Sequence, residues 1–337
     1  MKAPAWARWD DSALLDLELR ELRLGRPRRP LLRRAIQRLE RELQSRDLRL
    51  RPHCWFSEEW FSPDGVPGIA IPFYLAHPRL ERLERRMSGA VEGGNPTSLL
   101  RILRHEAGHA IDTAFRLRRR RAWREAFGSP TQPYPDHYRP VTSSRAFVQH
   151  LDGWYAQAHP AEDFAETFAV WLTPRSNWRR RYAGTPALKK LLAMDRLMAE
   201  IAGRRPPIRS SERVDTVALS RLSLREYYRG MLQRLARADF SLVDRALCRP
   251  FGPRPASGEA CRADTWLRAR RRELLRSSDD PLSRYDDDQW LQLAIVRCSE
   301  RRLWVRGSRA ESRRAAQQLM RRLRRLGSDR ERLQFTL

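Results

Sequence analysis

The sequence predicts an α+β chain, with a small sheet and a buried, motif-bearing helix first and a mainly α-helical unit after it. Three observations predict this. Residues 95–115 carry apolar side chains at helical spacing, residues 47–76 hold strand-like runs separated by turn signals, and the chain beyond residue 210 reads mostly helical. The expected divisions are an N-terminal helical segment at 1–46, an α+β domain at 47–202, a linker at 203–210 and a basic helical domain at 211–337.

Residues 11–46 are expected to form two helices broken near Gly25 and Pro27. Leu14, Leu15 and Leu17, then Leu31, Leu32, Ile36 and Leu39, mark their apolar faces among interleaved Arg and Glu. Leu48-Arg-Leu-Arg and Cys54-Trp-Phe alternate or cluster like strands, and Pro63-Asp-Gly signals a turn. Gly68-Ile-Ala-Ile-Pro-Phe-Tyr-Leu75 reads as a strand. Pro72 cannot donate to a ladder, which assigns that strand to a sheet edge.

Asn95-Pro96 then supplies a cap residue and a proline suited to the first helical position. Leu99, Leu103, Ala107, Ala110, Ile111 and Ala114 give the following helix one apolar stripe. His105-Glu-Ala-Gly-His109 lies within it. Positions i and i+4 share a helix face, so His105 and His109 can direct two imidazole nitrogens at one Zn²⁺. Glu106 then stands beside the metal, where a carboxylate can take a proton from zinc-bound water. The bland alternative is a satisfied surface histidine pair. Gly108 costs about 1 kcal/mol in a helix interior relative to Ala, so close approach of another backbone or a ligand is expected there.

Arg-rich helix and a proline-rich loop, Ser129-Pro-Thr-Gln-Pro-Tyr-Pro-Asp136, follow; the loop is expected near the cleft. Catalytic zinc usually has three protein ligands, and the best source of the third is His159–Leu172. Pro160 suits a first helical turn and Pro174 a stop, while Phe164, Phe168 and Trp171 form a core-facing stripe. Glu162 and Glu166 share another face one turn apart. One carboxylate can bind metal while the other accepts the second N–H of a ligand histidine. Satisfaction of the helix dipole accounts equally for Glu162 and Asp163, but leaves Glu166 among apolar residues unexplained. Asp112, Asp152 and His159 are polar neighbours to which no metal role is assigned.

Two segments, H-E-A-G-H-A-I-D from His105 and G-W-Y-A-Q-A-H-P-A-E-D-F-A-E-T-F-A-V-W-L-T-P from Gly153, resemble a family of bacterial zinc-binding metallopeptidases. More distantly they resemble the gluzincin class, which includes thermolysin and anthrax lethal factor. The resemblance covers roughly residues 45–200 and implies a zincin-like fold for that domain. It also implies His105, His109 and Glu162 as zinc ligands, with Glu166 orienting a ligand histidine. Lethal factor has a Tyr seven residues before its ligand Glu, where it stabilises the oxyanion. Tyr155 holds that position, and a core aromatic beside Trp154 is the alternative. Zincins present an edge strand above the metal, so Gly68–Leu75 is expected to offer its backbone to an extended peptide. An ordinary edge strand blunted by proline is the alternative there.

Gly203-Arg-Arg-Pro-Pro-Ile208 reads as the linker. Beyond it, Ser223-Leu-Arg-Glu226 and Ser308-Arg-Ala-Glu311 match capping boxes. The second opens a helix with Ala315, Ala316, Leu319, Met320, Leu323 and Leu326 inward, ending at Gly327. The scattered cysteines (Cys54, Cys248, Cys261, Cys298) form no C-x-x-C pair and are expected as free thiols. No apolar run spans a membrane and the first residues lack a secretory apolar region, so a cytoplasmic setting is expected.

Net charge is +26, yet only Lys2, Lys189 and Lys190 are lysines. Such lopsided arginine use fits coding bias with a solvated surface, or an anionic partner such as nucleic acid or acidic protein. The expected activity is zinc-dependent hydrolysis of a peptide or protein substrate, with Glu106 as general base. The alternatives are an Arg-rich nucleic-acid-binding or regulatory protein without catalysis, and a zinc amidohydrolase acting on a non-protein amide.

Overall fold

The computed structural model describes residues 4–336 apart from 26, 28, 89, 238–240, 256–260, 276–280, 307–308 and 329–334. It combines many helices with small two-stranded sheets, the mixed composition expected. The N-terminal stretch breaks where glycine and proline indicate, between α1 (Asp11–Leu15) and α2 (Pro30–Gln44). Asp10 caps α1 by accepting the Ala13 N–H at 2.9 Å, and Pro30 opens α2. Buried Leu32, Leu39 and Leu43 form the inner face of α2.

Leu48–Arg51 does not become a strand. Leu48 and Leu50 are buried, as their alternation implies, but the backbone has other partners. Asp47 turns left-handed (φ 54), Leu48 N–H closes on Leu43 O at 3.0 Å, and Asp47 O accepts the Gly203 N–H. Alternating burial here reflects an exit from a helix rather than a ladder.

The first sheet pairs β1 (His53–Ser57) with β2 (Gly68–Pro72) in parallel. Both flanks are covered. Ala70 bridges Phe61, donating its N–H to Phe61 O at 2.8 Å, and Ser57 bridges Thr216 on the other side. Every residue of β2 is buried, and the chain turns into a 3-10 helix at Phe73. Pro72 therefore ends the strand, and the β2 backbone is not open at Ala70 to an incoming peptide.

After α3 (Pro78–Met87) comes α4 (Pro96–Phe115), whose capping follows the sequence reading. The Asn95 side chain accepts the Thr97 and Ser98 N–H groups at 3.1 and 3.0 Å. The stripe from Leu99 to Ala114 is fully buried. Arg104 ties α4 to α2 through a buried two-point ion pair with Glu42, at 2.8 and 2.7 Å. Next come α5 (Arg121–Phe127), β3 (His137–Tyr138), α6 (Pro160–Leu172), α7 (Trp178–Arg181) and α8 (Pro186–Ile201). Phe164 and Phe168 of α6 are completely buried, each worth roughly 2–3 kcal/mol in removed apolar surface.

Gly108 of α4 packs directly against α6 at Ala165. A Cβ built there would lie 2.8 Å from Ala165 Cα and 3.1 Å from Ala165 O. The expected reason for this glycine is met by a neighbouring backbone.

Residues 203–210, expected as a linker, pack along the first core's elements: Ile208 N–H donates to Ala114 O at 3.1 Å. α9 (Leu224–Arg237) opens on the expected capping box, Ser223 N–H to Glu226 at 2.8 Å and Glu226 N–H to Ser223 Oγ at 3.2 Å. α10 (Ser241–Leu247), β4 (Phe251–Gly252), α11 (Ala263–Leu274), α12 (Pro281–Glu300), β5 (Trp304–Val305), α13 (Arg309–Ser328) and β6 (Phe335–Thr336) complete the chain. β4 pairs with β5, and β6 returns to pair antiparallel with β3. Ala316, Leu319, Met320 and Leu323 of α13 are buried, and the helix runs one residue past Gly327. The box at Ser308 lies outside the described residues.

Two apolar cores result. The first runs from Trp6 to Tyr228 and includes Val217, Leu224 and Tyr227. The second gathers residues from Val243 to Leu323 and takes Trp154 from the earlier chain. Among the described residues no helix is long and apolar enough to cross a membrane.

The same substitution should act with opposite signs at two helical glycines. Gly108→Ala drives a methyl into backbone and should destabilise by about 1–3 kcal/mol. Gly230→Ala meets nothing within 4 Å and should stabilise by up to about 1 kcal/mol. Urea denaturation of both variants checks this; equal shifts would contradict the close helix contact.

Candidate metal and active site

The contact at Gly108 sets the first turns of α6 against the middle of α4. His159 caps α6, its Nδ1 accepting the Ala161 N–H at 3.1 Å while Nε2–H donates to Gln132 O at 2.7 Å. That fixes where the next turn points. Glu162 faces α4, whereas Asp163 turns to Lys190, 2.5 Å away. The acidic first turn therefore splits, with one carboxylate in an ordinary ion pair and the other on the histidines.

His105 Nε2, His109 Nε2 and Glu162 Oε2 converge. The nitrogens lie 3.1 Å apart, and Glu162 Oε2 is 3.1 Å from His105 and 3.2 Å from His109. Tetrahedral ligand atoms bound at about 2.0–2.1 Å would stand about 3.3 Å apart, so the triangle fits one zinc ion. Three lone-pair donors aimed at one point form a natural cation site and a poor apolar core. Among the described residues this is the one group with such spacing.

Glu166, one turn along α6, completes the support. Its Oε1 lies 2.9 Å from His105 Nδ1 and its Oε2 accepts the Leu151 N–H at 2.8 Å. A proton on Nδ1 donated to Glu166 leaves Nε2 free to coordinate. Burial alone would lower the His105 pKa, but Glu162 and Glu166 outweigh it and raise it. Burial works against both carboxylates too, yet His109 and His105 hold Glu162 well below the usual range, and chiefly His105 lowers Glu166.

Glu106 is buried, and its Oε2 has no hydrogen-bond partner. Burial raises its pKa, partly offset by His105 and His109. A carboxylate oxygen left without a partner beside these histidines is free to accept a proton. Tyr155 is half-buried, its ring 5.6 Å from that of His105. Burial and then the charges of Glu162 and Glu106 push its hydroxyl pKa upward, keeping it a donor.

Tyr134 was not singled out in the sequence. Its hydroxyl donates to Glu162 Oε1 at 2.9 Å, and its ring stacks on His159 at 3.8 Å. The available signal was a tyrosine between two prolines in the loop expected near the cleft. Asp112 and Asp152 stand apart from the cluster. Asp112 holds Arg118, and Asp152 meets Arg101 and Gln289.

A cavity of about 990 Å³ opens elsewhere, between α2 and residues 205–211. Arg41, Arg49, Arg51, Arg205 and Arg209 line it with Glu40 and Asp47.

Residues 86–183 match a family model described as "Putative zinc-binding metallo-peptidase". The match contains α4, α6 and every residue of the cluster. No curated protein and no solved structure matches the chain.

His150 provides a pH test of this buried region. Its Nε2–H donates to Arg101 O at 2.9 Å, and burial pushes its pKa down to about 4 against the opposing charge of Glu166. As pH falls from about 6.5 towards 4, the unfolded chain binds a proton that the native ring refuses, so stability falls. His150→Gln keeps a donor without titrating and should lose less stability between pH 7 and pH 4.5. Parallel urea titrations showing equal losses would place a charged His150 in the native state.

Proposed function

We propose that the chain is a zinc-dependent metallopeptidase with a zincin-like catalytic unit, and that His105, His109 and Glu162 hold the metal. The convergence of their three ligand atoms within 3.2 Å, with Glu166 behind His105, carries the reading. A bound Zn²⁺ would supply an acidified water and polarise the scissile carbonyl.

The chain's own groups do the rest. Glu106 accepts a proton from the attacking water at its unpartnered carboxylate, then gives it to the leaving amine as the C–N bond breaks. Tyr155 donates to the oxyanion that develops as the carbonyl carbon becomes tetrahedral. Glu166 keeps the His105 tautomer, and Tyr134 occupies Glu162 Oε1 so that Oε2 faces the histidines. A cytoplasmic setting is part of the same reading, consistent with free thiols at all four cysteines.

The peptidase reading predicts one zinc per chain by elemental analysis, strongly reduced by Glu162→Ala. Glu106→Gln should keep the metal and lower cleavage of fluorogenic peptides by about 100-fold or more. Glu166→Gln should weaken zinc affinity by about 10- to 100-fold. Protein without stoichiometric zinc would defeat the reading. Turnover only of non-peptide amides, with zinc present, would move it to an amidohydrolase.

The arginine-lined cavity supports a polyanionic partner in addition to the substrate. Among the described residues none of its five arginines forms an ion pair with a carboxylate, whereas Arg79, Arg104 and Arg118 are paired elsewhere. A labelled single-stranded oligonucleotide should bind with strong salt dependence. Arg49→Glu with Arg205→Glu should reduce the log–log salt slope by about two; an unchanged slope in anisotropy titrations would exclude this cavity.

A further inference from the structure

The short turn Asp152–Gln157, which carries Tyr155 into α6, has an unusual backbone. Gly153 (φ 78, ψ 13) and Trp154 (φ 55, ψ 40) are consecutive left-handed residues. A bulky side chain rarely adopts that conformation unless its surroundings impose it. Here they do. Gln289 of α12 accepts the Gly153 N–H through Oε1 at 2.7 Å and donates from Nε2 to Asp152 Oδ1 at 3.1 Å. Trp154 is buried edge-to-face on Trp290, with ring centroids 5.6 Å apart. Among the described residues, it is the one member of the second core that precedes Val243.

The opposite side of the turn is also held. Tyr138 donates its hydroxyl to Gly153 O at 3.0 Å, and β3, which contains Tyr138, pairs with β6 near the end of the chain. The helical unit after α9 thus grips the Tyr155 turn through its backbone, two of its side chains (Asp152 and Trp154) and the strand beside it. Gln289 is itself buried, so neither of its bonds is readily replaced by water.

From this convergence we propose that the C-terminal helical unit is a positioning element of the active site: Gln289 and the Trp154 slot hold Tyr155 against the metal cluster. The inference rests on the peptidase reading for what Tyr155 does, and on the structure for what holds it. Gln289 acts through Tyr155 and is a positioning residue.

The full-length zinc-loaded protein tests this with a fluorogenic peptide that the wild type cleaves. Gln289→Leu, similar in size but unable to make either bond, should lower kcat about 10- to 100-fold with KM and zinc content unchanged. In a Tyr155→Phe background the same substitution should have little further effect, because its route to the chemistry is already removed. Exchanging amide and carboxylate, with Gln289→Glu and Asp152→Asn together, should restore most of the loss. Equal kcat losses in both backgrounds would overturn the proposal in favour of general destabilisation.

Hydrogen exchange on metal-free protein gives a readout independent of turnover. Amides 153–157 should exchange at least about tenfold faster in Gln289→Leu while α4 and the second core stay protected. Unchanged exchange in the turn would also overturn the positioning role. If the wild type cleaves no peptide, the peptidase reading fails, and the exchange result still decides whether Gln289 holds the turn.

Discussion

Gly108 of α4 packs directly on the backbone of α6 at Ala165, with no room for a methyl group between them. A side chain on either residue larger than those present would separate the helices. Glu162 lies three residues before Ala165 and Glu166 one after it, and His105 lies three residues before Gly108 and His109 one after it. Ångström-scale convergence of the four polar side chains therefore depends on a contact made by two small residues. The surrounding apolar layer of Leu103, Ala107, Ile111, Phe164 and Phe168 keeps the helices at that distance.

Holding this cluster together carries an electrostatic cost. Glu106, Glu162 and Glu166 are all buried in one region, along with His105. Unpaired buried charge is strongly unfavourable, so each group needs compensation. Glu166 has it from His105 and the Leu151 N–H, and Glu162 from two imidazoles and Tyr134. Glu106 has none at Oε2. The three neighbouring carboxylates therefore differ in how far their oxygens are satisfied, and the proposed function builds on that difference.

The two cores are linked by more than a connecting chain. Trp154 leaves the segment between α4 and α6 and enters the second core, and β6 returns to the loop region before it. Consequently the turn beside the cluster is shaped by residues more than a hundred positions away. The N-terminal segment is similarly attached, since buried Glu42 grips Arg104 one residue before His105. The segment matched by the family model supplies the polar cluster, while residues on both sides of that segment constrain it.

How much of this was legible from residues alone follows from the range of each interaction. Helix α4, its Asn95 cap, its apolar stripe and the shared face of His105 and His109 are properties of 3.6-residue periodicity, readable from adjacent positions. The need for close approach at Gly108 was readable too, though not its partner. Leu48–Arg51 misled because alternating burial does not reveal whether a ladder partner exists, and Asp47 and Leu48 are claimed by Gly203 and Leu43. Pro72 indicated an edge, but Phe61 covers β2, a pairing that local pattern does not encode. The sequence by itself determined the helices, their caps and the chemical types on each face. Only the tertiary structure decided that Tyr134 meets Glu162 and Gln289 grips Gly153, because these bonds join residues 28 and 136 positions apart and arise from packing rather than from local periodicity.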